Sequence, residues 1–459
     1  MLKTYKVQIK KGHKLFKYFS DLCHNSKNLY NASNYYIRQY ASAKLRIREN
    51  QPLHNNQKEI LDIVESIKGT KYYPKGDFLT YNALDYIFKT TKNVDYLSLP
   101  SHSNQWIIKS LIEGNYKSFF SIIKDYKLNP SKYLGRPKMP KYLKKDKTIL
   151  FFSNITCKIK NEKYLRFPKT KLQLNIGKLG IKGKLKQVRV IPHTTYYDIE
   201  LVLDTTENYE KVKANNKIMA IDIGLNNLCA ISTSFNKKTY LIKGTPIKSI
   251  NQYFNKEVAH YKGILKKVNQ ADYSVRLDKL YKKRNNKIKD YIHKTSKKVI
   301  ELCLQNNIST IVIGHNKNWK QNSDMGKINN QNFISIPVNK LIEQIQYKAA
   351  YHNINVELQE ESYTSKASFL DNDEIPVLNK KTKDNKYTFS GKRIKRGLYK
   401  SQEGILINAD INGSLNILKK YLLRQQKEQK EISKVTQILK KFVNLWNRGY
   451  MDNPIIKYI

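Results

Sequence analysis

Apolar residues change their spacing several times along this chain, and each change predicts an element. Residues 3–9, KTYKVQI, alternate like a strand. From Lys14 to about Ala43, apolar positions recur as Leu15, Phe16, Phe19, Leu22, Leu29, Tyr36, Ile37 and Tyr40, which predicts a helix with one buried stripe. Its other face carries Lys27, Asn28, Asn31, Asn34 and Arg38, and reads as a solvated face or as a groove reader. Further helix is predicted over 103–127, with Trp106, Ile107, Leu111, Tyr116, Phe119 and Phe120 in its core. Residues 129–147, NPSKYLGRPKMPKYLKKDK, break the pattern, because three prolines and a glycine exclude a long helix. Short strand-like pieces follow (TILFFS, YLRFPK, LQLNIG, KQVRVIP, TTYYDIELVLD), separated by turn residues, and predict a small β-barrel or sandwich.

The pattern shifts again at about Asn216. KIMAIDIGLNNLCAISTS (217–234) reads as strand, turn, strand, and KKTYLIKG (237–244) as a third strand. A long charged helical stretch covers 248–307, with a break near Asn269–Tyr273. STIVIG (309–314) is a strand, 338–353 a helix, INVELQE (354–360) a strand, and a last helix starts near Asp410. Three strands, helix, strand, helix, strand, helix is the element order of an RNase H-like α/β domain, a mixed sheet flanked by helices.

Charge changes the picture next. Lys and Arg number 85 against 37 Asp and Glu, a formal net charge of +48. A codon bias toward Lys, Asn, Ile and Tyr would raise Glu alongside Lys, and here it does not. The excess therefore predicts a polyanionic partner, and 33 tyrosines add rings able to stack on unpaired bases. The 129–147 segment is read as a basic loop facing a nucleic-acid backbone through Arg136, Lys138 and Lys141. No run approaches a membrane span and the N-terminus has no apolar signal core, so the expectation is a cytoplasmic protein without a membrane partner. Four scattered cysteines, with no CxxC, exclude a disulfide framework and predict no zinc site.

Candidate chemistry rests on carboxylates. Asp222 sits inside an apolar strand, where an unpartnered carboxylate is costly; it is either a hydrogen-bonded structural group or a metal ligand. Asp410 opens a helix, as an N-cap or as a second ligand. A phosphodiesterase site with two magnesium ions calls for a further acid. Glu360 and Glu361 end the strand INVELQE, and strand alternation lets only one of them enter such a site. Magnesium prefers oxygen, which disfavours His315.

AIDIGLNNLCAIST resembles the first RuvC motif of the transposon-encoded TnpB (OrfB) nucleases, and ESYTSKAS with LINADINGSLNIL resembles their later motifs. IVIGHNKNWKQ, GKINNQNFISIP, FSGKRIKRGLYKS and NRGYMDNP resemble one branch of that family, which is related to type V CRISPR effectors and to Fanzor. LCHNSKNLYNASNYYIRQ near the N-terminus and GRPKMPKY extend the likeness over most of the chain.

The resemblance implies an RNA-guided DNA endonuclease. A guide RNA from the transposon end would pair with one strand of a double-stranded target beside a short adjacent motif. One RuvC site would cut, using two magnesium ions, with manganese able to substitute, held by Asp222, Glu361 and Asp410. Two departures stand out. Many members carry the second acid where this chain has Gly314; in some branches a glutamate three residues before the Thr-Ser pair replaces it, which here is Glu361, with Glu360 as understudy. Many members also hold zinc through two CxxC pairs after Thr-Ser, and residues 366–405 contain no cysteine. That insert is read as a zinc-free clamp on target nucleic acid through Lys392, Arg393, Lys395 and Arg396.

The expected architecture is a β-barrel wedge domain (1–10 and 126–215) with an inserted helical recognition bundle (11–125). A RuvC-like core (216–365 and 406–423), the insert at 366–405 and a mobile or RNA-bound basic tail at 424–459 complete it. One protein copy per RNA, in the bacterial cytoplasm at the nucleoid, is expected. Two other classes remain: a nuclease-dead guided DNA-binding regulator, and a DNA-joining recombinase.

Overall fold

A computed structural model describes residues 2–73, 76, 78–205, 208–316, 336–376, 387–428, 432–446 and 454–457. Part of IVIGHNKNWKQ and most of GKINNQNFISIP (317–335), part of the insert (377–386) and parts of the tail (429–431, 447–453 and 458–459) lie outside the described residues. The chain forms two compact units, Met1–Glu207 and Asn208–Ile459.

In the first unit, β1 (Leu2–Lys10) precedes a helical set: α1 (Phe16–Arg48), α2 (Asn55–Glu65), α3 (Tyr81–Thr90), α4 (Val94–Ser98), α5 (Ser101–Lys109) and α6 (Lys117–Leu128), with a π-helical turn at Ser110–Tyr116. The strands β2 (Leu150–Ser153), β3 (Lys158–Lys160), β4 (Tyr164–Arg166), β5 (Gln173–Asn175), β6 (Lys184–Pro192) and β7 (Tyr196–Asp204) follow. They make two separate sheets, β1-β7-β6-β2 and β3-β4-β5, where a small barrel or sandwich is expected. The reason is local. β1 pairs along its whole length with β7, whereas β3 to β5 are three residues each and close on themselves. Asn161 and Glu162, at φ of 50° and 51°, turn the chain tightly between β3 and β4. One apolar core joins both sheets to α1, and Phe19, Tyr40, Tyr116, Phe152 and Tyr197 are fully buried in it.

The second unit contains β8 (Ile218–Asp222), β9 (Asn227–Thr233), β10 (Tyr240–Lys243), α7 (Thr245–Asn269), α8 (Val275–Asn306), β11 (Thr310–Gly314), α9 (Val338–Tyr351) and β12 (Asn355–Gln359). Next come β13 (Lys392–Lys395), β14 (Leu398–Lys400), β15 (Leu406–Asn408), α10 (Ala409–Glu428), α11 (Ile432–Trp446) and β16 (Ile455–Lys457). Its main sheet has the order β12-β11-β8-β9-β10-β16. β8, β9 and β10 run antiparallel, while β11 and β12 continue parallel to β8. This is the RNase H-like arrangement expected from the element order, with β16 added at one edge.

Alternation along the strands sorts the two faces. Met219, Ile221, Ile311 and Ile313 join the core under α8 and α9. Ile218, Ala220 and Val312 join the core under α10 and α11. By the same alternation, Asp222 and Gly314 fall on the α10 face.

The boundary and the tail differ from expectation. Residues 208–215 go with the second unit: Val212 is buried in its core and donates its N–H to His352 O at 2.8 Å. The described part of the tail packs on the second unit, which differs from a mobile segment. Val435, Phe442 and Trp446 of α11 are buried against α10, and β16 pairs with β10. Val435, Leu439, Phe442 and Trp446 recur at helical spacing, so the signal was present but outweighed by the surrounding lysines.

Candidate active site

Three acids expected to act together sit on elements of the second unit that meet over the α10 face of the sheet. Asp222 is the last residue of β8, Glu361 follows β12, and Asp410 lies in the first turn of α10. All three are half-buried. Burial raises the Asp222 carboxyl well above the ordinary range, and the charges of Glu361 and Asp410 add to it, while Arg393 opposes. Burial and the neighbouring Glu360 push Glu361 up to about 7, against the pull of Lys420. Like charges held together in low dielectric produce such shifts.

Two glycines make the packing possible. A Cβ on Gly413, one turn into α10, would lie 2.6 Å from Asp222 Oδ2. A Cβ on Gly314 would lie 2.6 Å from Glu361 Oε2 and 2.5 Å from Ile417 Cδ1. Thus the space that a side chain at 314 would need is taken by the Glu361 carboxylate, and any side chain there would displace it.

Neighbouring residues send Glu360 and Glu361 different ways. Glu360 forms an ion pair with Lys420, whose side chain is only 4% exposed. Lys420 also donates to Ser362 O and Pro376 O, both at 3.0 Å. The Glu361 backbone N–H donates to Asn316 Oδ1 at 3.1 Å. The segment after Glu361 is strung along α10: Asn412 Nδ2 donates to Ala367 O, Asn416 Nδ2 to Thr364 O, and Lys419 Nζ to Asp373 O. One helix therefore fixes both Asp410, at its start, and the segment that carries Glu361.

Asp410 is not the helix cap. Asn408 accepts the N–H groups of Asp410 and Ile411 at 3.0 and 3.2 Å, which leaves the Asp410 carboxylate for other partners. Asn227 Nδ2 donates to its Oδ2 at 2.7 Å, and Arg393 Nη2 to its Oδ1 at 3.2 Å. Arg393 stands on β13, within the insert, and its side chain is 47% exposed. Lys392, Lys395 and Arg396 are exposed on the same ribbon. Asn227, Asn316, Asn408 and Lys420 were missed in the sequence. Asn408, two residues before a helical acid, was the one legible as a cap.

Among the described residues, no three His, Cys, Asp or Glu side chains are grouped closely enough to hold a metal ion as they stand. The donor chemistry nonetheless fits a hard divalent cation, since all three donors are carboxylates and burial and like charge raise two of them. The four cysteines are free thiols, each buried. His315 donates its backbone N–H to Gln359 O at 2.9 Å, which ties β11 to β12 at the site.

The expected nucleic-acid contacts on α1 need correction. Asn34 is fully buried: its Nδ2 donates to Pro140 O and its Oδ1 accepts from Tyr116 OH. Asn31 exchanges two hydrogen bonds with the Leu143 backbone, at 2.8 and 3.1 Å. Arg38 donates to Pro140 O at 3.0 Å. These three hold the basic segment rather than read a groove. Lys27 donates to Asn28 Oδ1, and both are half-buried. Arg136, Lys138 and Lys141 are exposed.

The "OrfB_IS605: Probable transposase" family matches residues 198–320, and the "Cas12f1-like, TNB domain" family matches residues 339–417. A "TnpB-like protein ORF457" of Acidianus two-tailed virus is 26% identical over 215 residues, 45% of this chain and 42% of its own length. The match thus spans less than half of that relative. Among solved structures, a Cas12f1–sgRNA–target DNA complex aligns at 14% identity and a TM-score of 0.42, covering 88% of this chain and 82% of that one. C2c1 of Alicyclobacillus acidoterrestris with single-guide RNA aligns at 8% identity and a TM-score of 0.34, covering 88% and 70%.

Proposed function

We propose that the chain is a member of the TnpB (OrfB) family, which the two matching family models and the TnpB-like relative support, and that it is a transposon-encoded, RNA-guided DNA endonuclease. It cuts a double-stranded target beside a short adjacent motif. The observation that carries this reading is the meeting of Asp222, Glu361 and Asp410 at one end of the sheet, with the Asp222 carboxyl raised by burial and then by the charges of the other two. Asp222, Glu361 and Asp410 would hold two magnesium ions, or manganese in their place. Bound there, such ions supply activation of the attacking water and neutralisation of the leaving oxygen in phosphodiester hydrolysis.

The protein's own groups do the rest. Lys420 clamps Glu360 and the backbone beyond it, which holds the chain on both sides of Glu361. Asn227 and Arg393 fix the Asp410 carboxylate from two sides. Arg393, half exposed, also offers a guanidinium to a phosphate entering beside Asp410. In this reading 1–10 and 126–207 form the wedge, 11–125 recognises nucleic acid, and the insert grips the target without zinc. One copy acts per guide RNA.

One observation favours a second reading, a guided DNA-binding regulator without cutting. Arg393 occupies one oxygen of Asp410, and the acids do not yet form a closed cage. The test is cleavage of a matched plasmid by the protein loaded with its copurified RNA, with magnesium and with chelator. Magnesium-dependent cutting supports the nuclease, whereas guided binding without cutting selects the regulator.

A further inference from the structure

We propose that the basic segment 136–148 is a preformed rail for the phosphate backbone of a single RNA strand, latched in register along α1. This rests on the reading of the protein as RNA-guided, and it goes beyond that reading by naming the gripping element and its latch. The segment runs opposite to the helix direction. Pro140 O accepts from Asn34 and Arg38, and Leu143 pairs through both backbone groups with Asn31. Asp146 Oδ1 lies 2.7 Å from His24 Nδ1, and Thr148 N–H donates to Cys23 O at 3.1 Å.

The contacts at 140, 143 and 146 repeat every three residues. So do Lys138, Lys141 and Lys144, one position along, and all three are exposed. A period of three is that of a polyproline-type chain, which Pro137 and Pro140 favour; it would space the three ammonium groups by about 9 Å along one face. The third face is also engaged. Met139 packs on the core of the first unit, and the Arg38 guanidinium lies over the Tyr142 ring at 5.5 Å. The rail thus carries an unbroken row of cations on a backbone that is already ordered.

Preordering removes much of the entropy cost of binding. It favours a partner that stays bound, such as a guide RNA, over DNA that must come and go. Flexible lysines on one face grip phosphates without reading bases.

The test uses the full-length protein stripped of RNA and a mixed-sequence single-stranded RNA of about 20 nucleotides, with DNA of the same sequence in parallel, at 50–300 mM salt. The Lys138→Gln/Lys141→Gln/Lys144→Gln variant is expected to flatten the slope of log affinity against log salt for RNA by about 2, at about 0.7 per lost contact. Asn31→Ala keeps every charge but frees the latch; it is expected to weaken RNA binding about fivefold to tenfold with the slope unchanged. An unchanged RNA slope in the triple variant overturns the rail. Flattening for DNA alone overturns its assignment to RNA, and full affinity in Asn31→Ala overturns the latch. If the slopes change as expected but loaded protein never cuts, the rail stands and the nuclease reading fails. Cutting with unchanged slopes removes the rail alone.

Discussion

The residue-scale claim is that Glu361, rather than a residue at 314, supplies the third acid. The space at 314 is occupied by the Glu361 carboxylate, so Gly314→Ala should displace it and Ile417 together. We expect that substitution to cost about 1–3 kcal/mol by overpacking and to slow cutting, measured by chemical denaturation and single-turnover cleavage. Asp222→Ala and Asp410→Ala should each abolish cutting and leave RNA binding nearly unchanged. The pH dependence follows from sign. Glu361 sits near 7 when folded against an ordinary 4.5, so the folded state keeps a proton that the unfolded chain releases. Its contribution to stability is therefore highest below about 4.5 and is lost as pH rises toward 7. In chelator, the difference in melting temperature between wild type and Glu361→Gln should change over that window and level off above it. The pair Glu360–Glu361 was visible in the sequence, and the resemblance favoured Glu361; the Lys420 ion pair that draws Glu360 aside, ten residues past Asp410, is silent in any local pattern.

At the scale of elements, α10 is the organiser. It carries Asp410 in its first turn and pins the segment after Glu361 through Asn412, Asn416, Lys419 and Lys420. Lys420→Met should cost about 1–3 kcal/mol, since Glu360 keeps some water while the backbone carbonyls lose their donor. It should lower the rate of cutting more than RNA affinity, as measured by single-turnover kinetics beside filter binding. The element order of the sheet was legible because short apolar runs mark its central strands and the charged helical stretch 248–307 interrupts them cleanly. The polar face of α1 was misread: Asn31, Asn34 and Arg38 look like an exposed stripe in sequence, yet they bind a segment more than a hundred positions away. The tail was misread for a related reason, because lysines around α11 masked an apolar face that completes the core. Phe442→Ala, at a fully buried ring, should cost about 3–5 kcal/mol in denaturant unfolding.

At the scale of the whole molecule, charge and chemistry divide the work. On the proposed reading, a formal charge of +48 would supply sequence-independent affinity for nucleic acid, while three acids in the second unit would supply a site for hydrolysis. The excess charge was plain in composition; where it is exposed was not, because lysines that clamp the interior, such as Lys419 and Lys420, count the same as those on the surface. The most direct measurement is magnesium-dependent cleavage of a matched target by RNA-loaded Glu361→Gln, beside Glu360→Gln and wild type under identical loading. The account predicts that Glu361→Gln loses at least about a thousandfold in rate, a loss of roughly 4 kcal/mol of transition-state stabilisation, while Glu360→Gln stays within about tenfold of wild type. Wild-type rates in Glu361→Gln, or a dead Glu360→Gln beside an active Glu361→Gln, would contradict it.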